Sequence, residues 1–304
     1  MAKVLLLGSR GRLGAALTRI WSEAHDVTAL SRADIDISQI GLLEEALEEH
    51  LFDVLVNCTG ATSLEVCEDD PQLAARVNAE APARLAEIAA SRNARLIHFG
   101  TDYVFDGKKT TPYSEEDQAL PLSEYGRTKL RGELAVVGTS PTHLSVRVSW
   151  VFGPDKPSFV DMILNRAATE SSVEAVADKT SSPTYTEDVA AWIEPFLATG
   201  LPGGLYHASN AGACTWRDYG QEALDIADRL GWPLRCRVVS PIPMDSMTAF
   251  RAPRPRHTVL DCSHLHRITS VSARPWQEAL ASYLGGRQMS PGGVISEFSR
   301  LQAP

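Results

Sequence analysis

The residues with the clearest chemical potential are a tyrosine and a lysine four positions apart, in the segment Tyr125-Gly-Arg-Thr-Lys129. Residues i and i+4 of a helix share one face, so a helix here would place the phenol beside the ammonium. A phenol with an ordinary pKa of about 10 becomes a usable acid and base near neutral pH when a cation lies beside it. Thr101 ends an apolar stretch upstream, and its hydroxyl could bind the same reacting oxygen. We therefore take Thr101, Tyr125 and Lys129 as candidate catalytic residues; an exposed polar pair is the plainer interpretation of the last two.

A second informative segment is rich in glycine and reads Gly8-Ser-Arg-Gly11-Arg-Leu-Gly14. It directly follows an apolar stretch and opens a segment with helical spacing. Small residues are needed there because backbone N–H groups must approach a pyrophosphate closely, and a helix N-terminus adds about half a positive charge. The last glycine would let the helix pack against a sheet. The segment favours a dinucleotide site over a simple tight turn.

The residues after the second predicted strand bear on which dinucleotide is bound. In dinucleotide folds an acidic residue at this point binds the 2′-hydroxyl of NAD, whereas an arginine accommodates the 2′-phosphate of NADP. The chain has Ser31 and Arg32 first, and Asp34 and Asp36 follow. We therefore predict NADPH as the preferred cofactor, with NADH possible, although Arg32 could also be a solvated surface charge.

Strand-like and helix-like segments alternate along most of the chain. The predicted strands are residues 3–7, 27–30, 53–57, 95–99 and 143–150, and helical spacing covers 73–88 and 122–137. Such alternation is typical of βαβ units and a parallel sheet. The predicted fold is α/β, a Rossmann-like doubly wound parallel sheet with a smaller C-terminal substrate-binding lobe.

The same pattern suggests how the chain is divided. Residues 1–150 are predicted to form an NAD(P)-binding domain, which a returning segment near 178–200 would complete. Residues 151–285 would mainly build the substrate-binding lobe. Residues 286–304 are rich in Gly, Pro and Ser, so we expect a flexible tail there.

Composition and charge disfavour several classes of protein. The 304 residues carry 29 Lys and Arg against 38 Asp and Glu, a net charge of −9, which argues against nucleic acid and anionic membranes as partners. The N-terminal apolar stretch is too short for a signal peptide, and no stretch is long enough to span a bilayer. Five scattered cysteines form no disulfide framework, and the proximity of Cys262, His264 and His266 is not taken as a metal site. We therefore expect a cytoplasmic protein without a bound metal.

Four further segments, together with the residues above, resemble the extended short-chain dehydrogenase/reductase superfamily, and within it the dTDP-4-dehydrorhamnose reductases. The resemblance extends from Lys3 to about Leu284. The matching segments are Val56-Asn57-Cys-Thr-Gly-Ala-Thr62, Val77-Asn78-Ala-Glu-Ala-Pro82, Gly100-Thr101-Asp102-Tyr103-Val104-Phe105-Asp106-Gly107 and Val148-Ser149-Trp150-Val151-Phe152-Gly153.

The resemblance implies a role for each candidate residue. Tyr125 would protonate the oxygen of a nucleotide-linked 4-keto sugar while the nicotinamide gives hydride to C4, and Thr101 would bind the carbonyl. Lys129 would hold the nicotinamide ribose and lower the pKa of Tyr125. The implied cofactor-binding residues are Gly8, Arg10, Gly11, Arg12, Leu13, Gly14, Ser31, Arg32, Asp36, Ile37, Cys58, Thr59, Gly60, Asn78, Tyr125 and Lys129. The implied substrate-binding residues are Thr62, Asp102, Tyr103, Trp150 and Arg254.

Some of these residues have an alternative role, and some positions depart from the family. Trp150 could pack in the core, Asp102 could anchor a loop, and Asn78 is expected to shape the sheet edge rather than touch substrate. Glu65-Val66 stands where Asp-Lys is common, and Asp178-Lys179-Thr180-Ser181 where D-Q-x-G is common. Both segments border the expected cleft, so the identity of the sugar is left open.

Two other functions share this scaffold. A dehydratase or epimerase typically follows the catalytic threonine with Asp and Glu, but here Asp102 is followed by Tyr103. A non-catalytic regulatory subunit of the methionine adenosyltransferase type resembles residues 254–263, whereas Ser149-Trp150 fits the sugar reductases better. Ala15-Ala16 supplies no carboxylate for a metal-bridged dimer, so we expect a monomer or a simple homodimer.

Overall fold

The structure of the protein is a computed structural model that describes residues 1–198, 200–289 and 295–297. Its strands are β1 (Lys3–Leu7), β2 (Asp26–Leu30), β3 (Val54–Asn57), β4 (Arg95–Thr101), β5 (Leu144–Val148), β6 (Val151–Phe152), β7 (Val173–Val176), β8 (Thr180–Ser181), β9 (Thr184–Tyr185), β10 (Gly204–Ala208), β11 (Cys214–Thr215), β12 (Val239–Ile242), β13 (Arg287–Met289) and β14 (Ile295–Glu297). Its helices are α1 (Arg12–Trp21), α2 (Leu43–Glu48), α3 (Leu64–Asp69), α4 (Pro71–Ala75), α5 (Ala81–Ser91), α6 (Glu124–Thr139), α7 (Phe159–Thr169), α8 (Thr186–Ile193), α9 (Trp216–Arg229), α10 (Ser263–Thr269) and α11 (Trp276–Gly285). Short 3₁₀ turns cover Ile40–Leu42, Asp102–Val104, Glu194–Leu197 and Met244–Ser246, and Arg76–Glu80 forms a π-helical turn.

A six-stranded sheet in the order β2-β1-β3-β4-β5-β10 forms the centre of the molecule, and every neighbouring pair is parallel. This confirms the predicted Rossmann-like fold class. The strand order reverses between β1 and β3, and doubly wound sheets bind ligands at the carboxyl ends of the strands beside such a reversal. The glycine-rich segment follows β1 at this edge, and Cys58–Gly60 follow β3.

Residues 4–7 of β1 and 54–56 of β3 are apolar and buried because both faces of the sheet are covered by helices. On one face Leu6 packs in a cluster that includes Leu17 and Trp21 of α1, together with apolar residues of α8. On the other face Leu5 packs in a cluster with Leu85 of α5 and residues of α2. The sheet is therefore the middle layer of three, which leaves only its edges free to hold a ligand.

Two sequence predictions about local structure are wrong in their extent. The strand predicted for 143–150 ends at Val148, because Trp150 has a φ of 43°, a left-handed conformation that interrupts an extended strand. The helix predicted for 73–88 is divided into α4, the π-helical turn at Arg76–Glu80 and α5. Both interruptions lie next to residues that we had assigned to the site.

The C-terminal part of the chain forms a second hydrophobic core, and its returning segment is longer than predicted. Aromatic residues Phe152, Tyr219, Trp276 and Tyr283 pack together between α7, α9 and α11. The chain re-enters the central sheet through α8 and then β10, which lies beyond the predicted returning segment, 178–200. The outermost strand of the sheet therefore comes from the part assigned to the substrate-binding lobe.

The described residues after α11 form a small antiparallel pair, β13 with β14. Arg287 is attached to the body of the protein by an ion pair with Asp161 at 2.9 Å and by a hydrogen bond to the carbonyl oxygen of Pro154. The rest of the predicted flexible tail, residues 290–294 and 298–304, lies outside the described residues. Within the described part of the chain, no helix is long and apolar enough to cross a membrane.

Candidate active site

The turn between β1 and α1 has the close backbone contacts that a phosphate-binding loop requires. Gly8 has a φ of +88°, and the N–H groups of Gly8 and Ser9 both donate to the carbonyl oxygen of Leu30, at 2.8 and 3.0 Å. A Cβ added at Gly14 would lie 2.3 Å from the Gly8 carbonyl oxygen, so only glycine permits this approach of helix to loop. The turn therefore presents the first backbone N–H groups of α1 toward the sheet edge, a favourable position for a pyrophosphate.

A cavity of about 330 Å³ opens beside this turn, at the reversal of strand order. The predicted cofactor residues that line it are Gly8, Arg10, Gly11, Arg32, Asp36, Ile37, Cys58, Thr59 and Gly60. The lining residues that the sequence did not indicate are Ile35, Ala61, Leu73, Val77 and Lys156. Apolar lining residues suit the adenosine of a dinucleotide and the cations suit its phosphates, so the residues present fit NAD(P).

Arg12, predicted as a cofactor residue, is directed elsewhere. Its guanidinium donates to the backbone carbonyl oxygens of Val151, Lys156 and Pro157, at 3.2, 3.3 and 2.5 Å. These bonds attach the segment after β6 to the start of α1, which brings the Lys156 side chain to the cavity. No sequence signal connects positions 12 and 156, because the contact spans 144 residues.

Cations outnumber carboxylates among the residues that line the cavity. Arg10, Arg32 and Lys156 carry positive charge there, and Asp36 is the single acidic residue of the described lining. Asp36 is ion-paired with Arg32 at 3.2 Å. Asp34 accepts hydrogen bonds from the backbone and hydroxyl of Ser31, so the predicted cofactor residue Ser31 caps the loop after β2. Leu13, another predicted cofactor residue, packs against the core.

Helix α6 places Tyr125 beside Thr101, as predicted. Ser123 caps the helix by accepting from the Gly126 N–H at 3.2 Å. A Cβ on Gly126 would lie 2.3 Å from the carbonyl oxygen of Tyr103, so glycine allows α6 to approach the end of β4. The rings of Tyr125 and Tyr103 meet edge to face, with centroids 5.8 Å apart. Burial raises the pKa of Tyr125 to about 12, and the neighbouring Thr101 hydroxyl acts in the opposite direction.

Lys129 lies one turn further along α6 and is also buried. Its amine donates to the carbonyl oxygen of Phe99 at 2.5 Å and lies 3.3 Å from Nε2 of His98. Burial lowers the pKa of Lys129 to about 8. The amine contacts β4, and the lowering of the Tyr125 pKa by Lys129 stays a prediction. A Cβ on Gly60, which lines the cavity, would lie 4.0 Å from Nζ of Lys129, so this amine lies close to the cavity.

Two of the predicted substrate residues, Asp102 and Trp150, make contacts with other parts of the protein. Asp102 is buried and accepts a hydrogen bond from the Ser149 hydroxyl at 2.7 Å, which ties the end of β4 to the segment after β5. Burial raises the pKa of Asp102. Trp150 packs on Tyr219 and Trp216, with ring centroids 4.7 and 5.5 Å away, and is half-buried.

Arg254, Tyr103 and Lys179 lie together on the substrate side. Arg254 donates to Glu65 of α3 at 2.7 Å and stacks on the ring of Phe250 at 3.8 Å. The Lys179 amine lies 4.8 Å from the ring centroid of Tyr103 and is almost fully buried. Two positions that depart from the family, Glu65 and Lys179, therefore contact residues predicted to bind substrate.

Asn78 connects the loop after β3 with α6 through its side-chain amide. It lies in the π-helical turn, where its side-chain oxygen accepts from the Ala61 N–H at 2.9 Å. Its side-chain nitrogen donates to the Ala61 carbonyl oxygen and to the Thr128 hydroxyl, at 3.0 and 3.2 Å. Asn78 therefore holds the loop after β3 against α6. Thr62, which follows that loop, is exposed.

The described residues contain no group of three or more His, Cys, Asp or Glu that could hold a metal ion. In the segment singled out from the sequence, Cys262 contacts the Ser209 hydroxyl at 3.3 Å, and the His264 ring stacks on Tyr206. All five cysteines are free.

The parallel sheet, the glycine turn at the reversal of strand order and the Thr–Tyr–Lys set at the end of β4 define an NAD(P)H-dependent oxidoreductase of the extended short-chain dehydrogenase/reductase class. A model of the family described as "RmlD substrate binding domain" matches residues 2–288. The chain belongs to this family.

Similar proteins span the same length. The chain is 38% identical to a probable dTDP-4,6-dihydroxy-2-methyloxan-3-one 4-ketoreductase of Streptomyces antibioticus, over 91% of this chain and 92% of that protein. It is 36% identical to a dTDP-4-dehydrorhamnose reductase of Streptomyces griseus, over 91% of both. Among solved structures, the dTDP-4-dehydrorhamnose reductase of Bacillus anthracis in complex with NADP has a TM-score of 0.85 at 25% identity, covering 93% of this chain and 98% of that one. The Clostridium acetobutylicum reductase has a TM-score of 0.83 at 29% identity, with the same coverage.

Proposed function

We propose that the protein reduces the 4-keto group of a dTDP-linked 6-deoxy-4-ketohexose, as dTDP-4-dehydrorhamnose reductases do, with NADPH as hydride donor. The observation that carries the proposal is the position of Tyr125. Its phenol lies beside the Thr101 hydroxyl, and the Lys129 amine on the same helix borders the dinucleotide cavity. Hydride donor and proton donor would then act on the carbonyl from one edge of the sheet, which is what carbonyl reduction needs.

The residues divide the work of the reaction. NADPH, when bound, supplies the hydride. Thr101 donates a hydrogen bond to the carbonyl oxygen and orients it, while Tyr125 transfers its proton to that oxygen as negative charge develops there. Since burial raises the pKa of Tyr125 to about 12, the phenol is fully protonated at neutral pH and ready to donate. Lys129 would hold the nicotinamide ribose, and Arg254, which is paired with Glu65 at 2.7 Å, would have to exchange that partner to bind a phosphate of the substrate.

A direct assay tests the function. Purified protein with NADPH and dTDP-4-dehydrorhamnose is expected to oxidise the cofactor and yield a product two mass units heavier than the sugar nucleotide, since one hydride and one proton are added. The dTDP-linked methyloxanone named for the Streptomyces antibioticus relative is the second substrate to test, because Glu65 and Lys179 differ from the common family residues. Absence of turnover with both compounds would contradict the proposal and favour a non-catalytic binding protein.

We also propose that the protein prefers NADPH to NADH. Replacing Lys156 or Arg32 by Ala is expected to raise the Kd for NADPH about tenfold, because a charge-assisted contact contributes about 1.5–3 kcal/mol and 1.4 kcal/mol is a factor of ten. The Kd for NADH, which lacks the 2′-phosphate, should change little. Cofactor fluorescence measures both constants.

Lys108→Ala is the matched control, because Lys108 is 83% exposed and pairs with Asp106 outside the cavity lining. It should leave both constants unchanged. If Lys156→Ala raised the Kd values for NADPH and NADH equally, the cations would not recognise the 2′-phosphate. That result would contradict the proposed preference for NADPH over NADH.

We place the protein in the cytoplasm, where its five free cysteines would remain reduced and its nucleotide-sugar substrate would be made. We further propose a monomer or a homodimer that needs no metal at its interface, because Ala15 and Ala16 offer no carboxylate there.

A further inference from the structure

A chain of buried side chains connects the dinucleotide cavity to the catalytic lysine. Thr59, which lines the cavity, donates from its backbone N–H to Oδ1 of Asn57 at 3.0 Å. The Nδ2 group of Asn57 lies 3.1 Å from Nδ1 of His98, and Nε2 of His98 lies 3.3 Å from Nζ of Lys129. Asn57, at the end of β3, and His98, in the middle of β4, are fully buried, so water does not compete for these contacts.

The donor and the acceptor of each of these hydrogen bonds can be assigned by starting from the backbone N–H of Thr59. A backbone N–H can only donate, so the atom of Asn57 that faces Thr59 must be the oxygen. The amide nitrogen then donates to His98, whose Nδ1 must be unprotonated to accept. A neutral imidazole carries one proton, so it must be on Nε2, the nitrogen that faces Lys129. Burial lowers the pKa of His98 well below its ordinary value, which keeps the ring neutral.

With this tautomer, the Lys129 amine faces the Nε2–H donor of His98. An ammonium has no lone pair and cannot accept a hydrogen bond. A protonated Lys129 would therefore place its N–H groups against the Nε2–H of His98, with the two nitrogens 3.3 Å apart. A neutral amine has a lone pair for the Nε2 proton and can still donate to the Phe99 carbonyl oxygen. We propose that His98, held by Asn57 as its Nε2–H tautomer, is a positioning residue that sets the proton affinity of Lys129 by presenting a donor to its amine.

The other groups around Lys129 do not replace this control. On its own helix, Glu133 favours the charged amine but is engaged by Arg147, whose Nε donates to it at 2.9 Å. Tyr125 is a neutral phenol. At the end of β3 the Cys58 thiol is neutral, since burial raises its pKa. His98 is therefore the polar group that contacts the amine directly through its side chain.

The proposal deepens the proposed function, on which its catalytic meaning rests. Tyr125 loses a proton in each turnover and must regain it. A neighbour that titrates near the working pH can give up and recover a proton readily, whereas an amine with an ordinary pKa of about 10.4 releases it poorly. Burial lowers the pKa of Lys129 to about 8, and the donor that His98 presents would hold it there before any substrate is bound.

The test measures protonation directly in the full-length protein and needs no substrate. Histidine labelled with ¹⁵N in the ring reports the tautomer, and lysine labelled with ¹³C at Cε reports the titration of Lys129; His98→Gln and Lys129→Met assign the two signals. In the wild type we expect an unprotonated Nδ1 and a protonated Nε2 on His98, and a Lys129 midpoint near pH 8.

Asn57→Asp is the isosteric variant that reverses the direction of the hydrogen bonds from residue 57 through His98 to Lys129. A carboxylate still accepts from Thr59 but cannot donate, so His98 should protonate on Nδ1 and offer the lone pair of Nε2 to the Lys129 ammonium. The midpoint of Lys129 should then rise by about one pH unit or more, and His98→Gln, whose amide oxygen can accept from the amine, should raise it as well.

An Nδ1-protonated His98 in the wild type would overturn the proposal by itself, whether or not the variants fold. An unchanged Lys129 midpoint in folded Asn57→Asp would overturn it as well. If these signals behave as expected while no keto sugar is reduced, the proposed function fails and the control of Lys129 stands.

Discussion

Replacing Tyr125 by Phe is expected to lower kcat for reduction of the keto sugar by about 10²–10⁴-fold, the usual contribution of a positioned general acid. The phenol lies beside the Thr101 hydroxyl, and with a pKa of about 12 it is protonated across the range in which the enzyme is assayed. Phe keeps the ring, so its edge-to-face contact with Tyr103 and the packing of α6 are preserved. The measurement is the steady-state rate of NADPH oxidation, with the Kd of NADPH determined separately and expected to stay close to that of the wild type.

Tyr206→Phe is the matched control for Tyr125→Phe. It also removes one phenol hydroxyl from a buried ring, but that hydroxyl donates to the Pro202 carbonyl oxygen, and Tyr206 lies on β10 at the far edge of the sheet. The control should keep the wild-type kcat. A Tyr125→Phe protein with full turnover would assign the proton donor to another group, and one that lost NADPH affinity equally would assign Tyr125 to binding.

The sequence predicted the local parts of this site and missed the parts formed by distant segments. The glycine turn and the helix that carries Tyr125 and Lys129 can each be predicted from one short segment, because close backbone approach and i,i+4 spacing are local requirements. The contact of Lys129 with His98 spans 31 residues and depends on how closely α6 approaches β4. Nothing in the residues around His98 distinguishes it from any other buried strand residue.

The same reasoning explains the residues around the cofactor. Arg12 lies in the glycine-rich segment, so it was predicted to bind the cofactor, yet its guanidinium is used to hold the segment around Lys156. Trp150 was predicted as the last residue of a strand, but its left-handed conformation interrupts the extended chain there. Local sequence patterns report on neighbouring residues, whereas the contacts of Arg12 are made with residues 139 to 145 positions away.

Replacing Glu133 by Ala is expected to lower the free energy of unfolding by about 3–5 kcal/mol, the cost of removing one partner from a buried ion pair. Glu133 and Arg147 have side-chain exposures of 1% and 3% and are joined by two hydrogen bonds, at 2.5 and 2.9 Å. The remaining guanidinium would have Nε2 of His207 at 3.2 Å, and burial lowers the pKa of His207 to about 3, so a neutral imidazole would be its partner. Urea denaturation followed by circular dichroism measures the loss.

Glu170→Ala is the control that separates burial from ion pairing as such. Glu170 also pairs with an arginine, Arg166 at 2.9 Å, but the two side chains are 46% and 39% exposed. An exposed i,i+4 pair contributes about 0.3–0.5 kcal/mol, because water solvates either partner when the other is removed.

A carboxamide at position 133 should retain part of the lost stability, since Glu133→Gln can still accept one hydrogen bond from Arg147. If Glu133→Ala lowered the free energy of unfolding no more than Glu170→Ala, the Arg147 guanidinium would have to reach solvent. The packing of β4, β5 and α6, which holds Lys129 against His98, would then be less rigid than their contacts require.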